Sequence, residues 1–355
     1  MKAPPGLDQI LRGQAAGEFR LLVLNPRGRD PWRAFPDGAG SPADPGHAPV
    51  NFHAYAACTR GVYTDAAPAS YGLFQQPGQP ALVMLRRDLK TCLEAVRTLK
   101  NEHGCRVAVG LKETGTHQVA DLLSKPGRLE LLRATLAEAH GVIAATPGLV
   151  PFYRGLLPAE RDPARVQFIP TPYPVGEPGW DFALPPAERR GIFIGTREFL
   201  TPSRNHLAAL TTILPLARDL REPVTVFNTD GRYGEKMLAG LGYPAGLLKI
   251  HTGRRAYPDY LRELARHKIV WQLDSSHVPG QVAGDCLLAG VPCVGGNGAV
   301  DQLAFPELSG GPRPLETLLE SARLLLEAGV YAPETAGLTF PLAAERLRDF
   351  FTGLK

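Results

Sequence analysis

Lys268-Ile-Val-Trp-Gln-Leu-Asp-Ser-Ser-His-Val-Pro-Gly-Gln-Val-Ala-Gly-Asp-Cys-Leu-Leu-Ala-Gly-Val-Pro-Cys-Val-Gly-Gly296 decides the fold. It reads as a buried strand over 269–273, a polar loop, a short helix over 281–289 and a second buried strand over 291–295. The loop opens onto the helix at Gly280 and Gln281. A helix N-terminus offers unpaired backbone N–H groups and the positive end of a dipole, so anions such as phosphate settle there. One turn further in, Asp285 supplies a carboxylate able to accept from sugar hydroxyls. The stretch has the layout of a site for a phosphorylated, hydroxyl-rich ligand.

Working outward, the same alternation fills the second half. Strands are expected at 191–195, 224–228 and 248–251, with helices over 204–218, 234–241 and 257–267, and two closing helices over 314–327 and 341–352. In the first half strands are expected at 19–25, 81–85, 105–111, 141–145 and 166–169. Helices fall over 90–101 and 149–156, with one or two more within 119–139. Residues 1–18 read as a loose leader with a turn of helix at most and 28–49 as a long surface loop; 50–64 fits either a helix or a strand. Strand–helix–strand alternation implies parallel sheets covered on both faces. Residues 170–186 hold six prolines and two glycines, which marks a linker. The expected organisation is therefore an α/β chain of two Rossmann-like domains facing a cleft. A first domain covers 1–178, a second 179–340, and a C-terminal helix over 341–355 packs back on the first.

Composition narrows the class. The 355 residues are 44% hydrophobic and 21% charged, which suits a soluble two-domain protein. No apolar run approaches the roughly 20 residues of a membrane span, and no signal peptide is visible, so a cytoplasmic location is expected. The net charge of +4 is diffuse, which argues against nucleic acid as a partner. The five cysteines form no Cys-x-x-Cys pair and read as reduced, buried small residues.

A second informative stretch is Gly191-Ile-Phe-Ile-Gly-Thr-Arg-Glu-Phe-Leu-Thr-Pro-Ser-Arg-Asn205. Arg197 sits just past a strand end. Arg204 is expected at the start of a helix, with Ser203 as its cap. Two guanidiniums at a strand mouth and a helix N-terminus make a clamp for a diphosphate; as isolated residues they would be solvated surface charges.

Together these stretches resemble the nucleotide-sugar-binding domain of GT-B glycosyltransferases, the large retaining group 1 (glycosyltransferase family 4-like). Gly195, Arg197 and Arg204 match its strand–glycine–basic pattern. The run His277 to Asp285, followed by Cys286-Leu-Leu-Ala-Gly-Val-Pro-Cys-Val294, matches its Glu, seven residues, Glu and Gly-x-Pro sequence. Here His277 replaces the first acid and Asp285 the second. The resemblance implies that Arg197, Arg204, Gly280 and Gln281 bind the donor diphosphate and that Asp285 binds the ribose. It also places Thr252, Gly253 and Arg254 in the loop that frames the nucleobase. In the first half it puts the acceptor near Val107-Ala-Val-Gly-Leu-Lys-Glu-Thr-Gly-Thr-His117, where Glu113 and His117 are the groups able to move a proton. Arg27 and Arg29 follow the first strand and face donor phosphates, an acidic acceptor or solvent. His277, Glu113 and His117 are the catalytic candidates.

The activity so implied is transfer of a hexosyl group from a nucleoside-diphosphate-sugar to a glycan, lipid or small-molecule acceptor, with retention. Peripheral membrane contact is a further expected interaction. No Asp-x-Asp pair is positioned for a metal, so neither metal nor cofactor is expected beyond the nucleotide-sugar co-substrate. Two alternatives stand beside it: a nucleotide-sugar or glycan-binding protein with altered catalysis, and a sugar-nucleotide epimerase. A dinucleotide oxidoreductase lacks its Gly-x-Gly-x-x-Gly after the first strand.

Overall fold

The computed structural model describes residues 5–28, 32–44, 48–65, 73–74, 76–253, 255–311, 313–328, 330–335 and 337–354. The chain divides into two compact units. Unit 1 is Met1–Pro174 with Ala336–Lys355, and unit 2 is Val175–Thr335.

Unit 1 runs α1 (Leu7–Ala15), β1 (Leu22–Leu24), β2 (Arg33–Ala34), α2 (His53–Cys58), β3 (Val62–Thr64), β4 (Pro80–Leu85), α3 (Leu89–Asn101), β5 (Arg106–Leu111), α4 (Thr116–Leu123), α5 (Arg128–Glu138), β6 (Gly141–Ala144), α6 (Leu149–Leu156) and β7 (Val166–Phe168). Its seven strands lie in the order β2-β3-β1-β4-β5-β6-β7, all parallel except β2, which runs antiparallel to β3. Both faces are covered, so the strands read as continuous apolar runs; Leu82, Val83, Met84 and Leu85 are all buried. Helix α3 shows the other period, with Leu89, Cys92, Leu93, Val96 and Leu99 buried on one face and Asp88 capping its start.

Two expectations are corrected in this unit. Residues 7–15 form a helix of nine residues, longer than the single turn expected in a loose leader, because Leu7 and Ile10 anchor it in the core. The loop over 28–49 contains strand β2, which exists only through its pairing with β3. The segment that fitted either structure contains both, α2 followed by β3. His53 lies buried against the Tyr63 ring, centroids 3.8 Å apart.

Unit 2 runs β8 (Ile192–Ile194), α7 (His206–Leu220), β9 (Val224–Asn228), α8 (Gly231–Ala239), β10 (Leu248–Thr252), α9 (Tyr257–Ala265), β11 (Ile269–Trp271), α10 (Gln281–Ala289), β12 (Cys293–Val294), α11 (Ala299–Ala304) and α12 (Leu315–Ala328). The chain then returns to unit 1 as α13 (Phe340–Gly353). The five parallel strands lie in the order β10-β9-β8-β11-β12. The chain leaves β8 towards β9 on one side and takes up β11 on the other, so the strand order reverses between β8 and β11. Loops diverge at such a point, and open α/β sheets take their ligands beyond the carboxyl ends of the strands there. Trp271, fully buried, donates its indole N–H to the Ala209 carbonyl at 3.0 Å and ties β11 to α7.

Candidate functional site

The loops after β8 and β11 are laced together at that reversal. The Ser275 N–H donates to the Ser203 carbonyl at 2.8 Å, and the Ser276 hydroxyl to the Ser203 hydroxyl at 2.9 Å. Asn205 donates to the Leu273 carbonyl at 2.9 Å and to the Ser275 hydroxyl at 3.0 Å. The lacing corrects the expected cap. Pro202–Arg204 form a short 3-10 turn, and α7 begins only at His206, after Asn205 in left-handed conformation (φ 49°). The left-handed Asn205 breaks the helix there, while Ser203 bonds across to the β11 loop.

The two arginines of this loop face different partners. Arg204 pairs with Asp274, 7% exposed, and with Glu198 at 3.4 Å. Asp274 also accepts the Ser276 N–H at 2.8 Å, so one carboxylate fixes both the guanidinium and the β11 loop. Arg197 is exposed and lies over the Tyr260 ring, 6.0 Å from its centroid. Its charge reaches Asp285.

Asp285 is 1% exposed and accepts the Tyr257 hydroxyl at 2.5 Å. Burial pushes its carboxyl up to about 7, against the pull of Tyr257, Arg197 and Tyr260. The expected ribose ligand is therefore covered by tyrosines from α9. Sequence reasoning missed Tyr257 and Tyr260, although their spacing of three residues was legible as one helix face.

Helix α10 starts at Gly280 (φ 94°), and no side chain caps it. A Cβ on Gly280 would lie 2.9 Å from Asp301 Oδ2 and 3.2 Å from the Val300 nitrogen. Only glycine allows the α10 start to lie this close to the α11 start. No side chain caps the first turn of α10, and a helix N-terminus carries the positive end of a dipole that suits an anion. Gln281, half-buried, opens that turn. Gly195 serves the same region: a Cβ there would meet Val282 at 2.8 Å, so β8 ends directly beneath α10.

His277 is exposed with φ 53°, and its backbone N–H donates to Asn297 Oδ1 at 3.1 Å. The Asn297 amide also lies 3.2 Å from His277 Nε2, which holds the ring at the loop after β12. Beneath that loop Asp301 accepts from Gln272 at 2.8 Å and from the Gly298 N–H at 3.1 Å. Burial pushes it, too, up to about 7. His206 adds a third buried titratable group, with Nδ1 3.0 Å from the Thr196 hydroxyl and burial pulling it down to about 4. Neither Asp301 nor His206 was singled out from sequence, since nothing local marks an acid or a histidine as buried.

The expected nucleobase loop lies at the edge strand β10. Thr252 ends that strand and Gly253 follows with φ 81° and open space where a side chain would be. Arg254 lies outside the described residues. Arg255 turns back onto the sheet, bonding His251 Nδ1 at 2.8 Å and lying 5.5 Å over the Phe227 ring.

In unit 1 the first-half candidates meet in one pocket. Leu85, Arg87, Leu111, Glu113, His117, Gln118, Asp121 and Leu122 line a cavity of about 300 Å³ beyond the ends of β4 and β5. Glu113 pairs with Arg86 at 3.5 Å, and Arg87 with Asp121 at 3.7 Å. Arg27 pairs with Asp88 at 2.7 Å, joining the loops after β1 and β4, where this sheet's strand order also reverses. Arg29 lies outside the described residues. No group of three or more His, Cys, Asp or Glu that could hold a metal occurs among the described residues, and no helix there is long and apolar enough to cross a membrane.

Two such units in one chain define the class: the protein has the GT-B fold, the fold of nucleotide-sugar glycosyltransferases. No protein-family model matches the sequence, and no curated protein matches it. Among solved structures, α,α-trehalose 6-phosphate synthase from Burkholderia multivorans is similar at a TM-score of 0.54 and 12% identity, covering 94% of this chain and 96% of that one. A trehalose-6-phosphate synthase studied for glycosyl transfer with retention is similar at 0.52 and 10% identity, over 99% and 93%. A chain of the GtfA/B complex is similar at 0.50 and 10% identity over 78% of this chain, which spans only 58% of the length of that one.

Proposed function

We propose that the protein is a glycosyltransferase that moves a hexosyl group from a nucleoside-diphosphate-sugar to an acceptor held by unit 1. One observation carries the reading: at the strand-order reversal of unit 2, an uncapped helix start and two arginine-bearing loop segments gather at the same sheet edge. The chemistry that suits this arrangement is stabilisation of a departing diphosphate. Backbone N–H groups of α10 and the guanidiniums of Arg197 and Arg204 neutralise charge as the sugar–oxygen bond breaks, and their placement costs no reorganisation at that moment. Glu198 and Asp274 hold the Arg204 fork in place. His277 is the nearest candidate to the transferred sugar on this side. Glu113 or His117, in the unit 1 pocket, takes the proton of the attacking hydroxyl. Two guanidiniums and a helix dipole supply the positive charge that a departing diphosphate needs, so a chelator is expected to leave transfer unchanged. Retention follows from the resemblance to group 1 enzymes, and so does a glycan, lipid or small-molecule acceptor.

A binding-only reading is favoured by one feature: two carboxylates already neutralise Arg204. The two are separated by a single series of measurements. Nucleoside diphosphates and their sugar conjugates are screened for a rise in melting temperature, since a ligand of the native state stabilises it. Release of diphosphate from each conjugate that binds is then followed. Transfer requires a melting shift that Arg197→Ala and Arg204→Ala abolish, together with release. A shift without release supports binding alone, and a panel without any shift contradicts both readings.

A further inference from the structure

Unit 2 has a second concave, basic surface that the proposed transfer does not use. A cavity of about 640 Å³ opens at the amino ends of β8, β9 and β10, the sheet edge opposite the α10 start. Arg190 reaches it from the segment before β8, Lys249 from β10, and Arg262 and Arg266 from one face of α9. Phe182 and Leu184 give it apolar lining. The backbone binds two of these cations together, since the Arg190 N–H donates to the Arg266 carbonyl at 2.7 Å.

Arginines four apart on a helix repel each other, and little here offsets that. Arg262 pairs with Asp259 at 2.7 Å, but both side chains are more than half exposed, where such a pair is worth little. Arg266 lies 3.6 Å from Glu263, and that carboxylate is shared. Lys249 and His251 each bond one of its oxygens at 2.9 Å, and Arg255 lies 3.7 Å from the other. Burial works to raise the Glu263 carboxyl, and Lys249 and His251 outweigh it, pulling it down to about 2. It is therefore ionised at neutral pH, yet one charge cannot neutralise the cations gathered round it. Glu188, exposed, is the other acid of the lining, so positive charge is left in excess. Two of the guanidiniums are also held in place: Arg190 donates to the Ala187 carbonyl at 3.0 Å and the Arg189 carbonyl at 2.7 Å, and Arg262 lies 5.8 Å over the Phe182 ring. Groups ordered beforehand lose less freedom on binding. The cations nevertheless stay open to a ligand, with the Lys249, Arg262 and Arg266 side chains 56%, 62% and 68% exposed.

We propose that this cavity binds a phosphate monoester on a compact organic body, its phosphate taken by Arg190 and Arg266 and its body lying against Phe182 and Leu184. A monoester carries about two negative charges, and the guanidinium fork matches its oxygens. The cavity lies away from the α10 start, so its ligand does not depend on what unit 2 binds there.

The test is calorimetric titration with phenyl phosphate and with inorganic phosphate at about pH 8, where both are dianions. Wild type is expected to bind phenyl phosphate roughly fivefold tighter than inorganic phosphate, the worth of a partly buried ring. Arg190→Gln and Arg266→Gln should each weaken phenyl phosphate by about tenfold. Both should keep the unliganded melting temperature and the melting shift with a nucleoside diphosphate, and Arg197→Ala should bind phenyl phosphate as wild type does. No binding by wild type overturns the proposal. So does affinity kept within twofold in either glutamine variant, or binding lost in Arg197→Ala, which would move the probe to the α10 start. Equal affinity for the two probes overturns the part assigned to Phe182 and Leu184. Vesicles carrying phosphatidic acid separate the two sources of such a phosphate. Retention on them that Arg266→Gln abolishes assigns it to a lipid headgroup, and phenyl phosphate binding without retention assigns it to a soluble ester.

Discussion

Asp285→Asn should change how the stability of unit 2 depends on pH. Burial pushes the folded carboxyl up to about 7, whereas an aspartate in an unfolded chain titrates near pH ~4. Between those values the folded state keeps a proton that the unfolded chain has lost, so stability falls as pH rises, by about 1.4 kcal/mol per pH unit. From pH 5 to pH 7 this one group removes about 2 kcal/mol, and well above 7 its contribution is level. Asn cannot ionise, and its carboxamide oxygen still accepts from Tyr257. Asp301 slopes the same way and His206 the opposite way, but both are common to the two proteins and cancel in the difference. Urea unfolding followed by tryptophan fluorescence suits the measurement, because Trp180 and Trp271 are buried in unit 2. The variant should gain about 2 kcal/mol on wild type between pH 5 and pH 7. A difference that stays constant over that range would refute the assignment of a buried, protonated Asp285.

Four other outcomes follow from the same geometry. Gly280→Ala places a Cβ 2.9 Å from Asp301 at φ 94°, and should destabilise by about 2–3 kcal/mol in the same urea assay and weaken diphosphate binding. Asp274→Asn removes the buried partner of Arg204 and should cost about 1–3 kcal/mol in urea midpoint, with looser diphosphate binding. His206 titrates near 4 when folded and higher when unfolded, so it contributes stability above its unfolded pKa that is lost as pH falls. His206→Gln should therefore flatten acid unfolding between about pH 6.5 and pH 4. Glu113→Gln should lower transfer at least tenfold while leaving the melting shift with a nucleoside diphosphate unchanged, because its pocket belongs to unit 1.

Much of the architecture could be read locally. Strands β4 and β9 are short apolar runs bounded by turn residues, and α3, α6 and α10 carry either helical spacing or clear stops. Strand β2 could not, since two residues in a glycine- and proline-rich loop become a strand only when β3 is beside them. Helix α1 was legible in principle from Leu7, Ile10 and Leu11 at helical spacing. The shift of the α7 start from Arg204 to His206 depends on Ser203 bonding across to the β11 loop, a contact between residues 72 apart. In the site, sequence pattern marks Arg197, Arg204, Gly280 and Asp285 as a set. It does not tell that Asp285 lies beneath Tyr257, or that Arg204 answers to Asp274. Those facts depend on burial and on which helix packs where, and neither leaves a trace at one position of the chain.

The most direct test is a crystal soaked with the nucleoside diphosphate that gives the largest melting shift. The diphosphate is expected at the start of α10, with Arg197 and Arg204 on its oxygens. Density instead in the basic pocket of about 640 Å³ at the opposite edge of the same sheet, lined by Arg190, Lys249 and Arg266, would contradict the account.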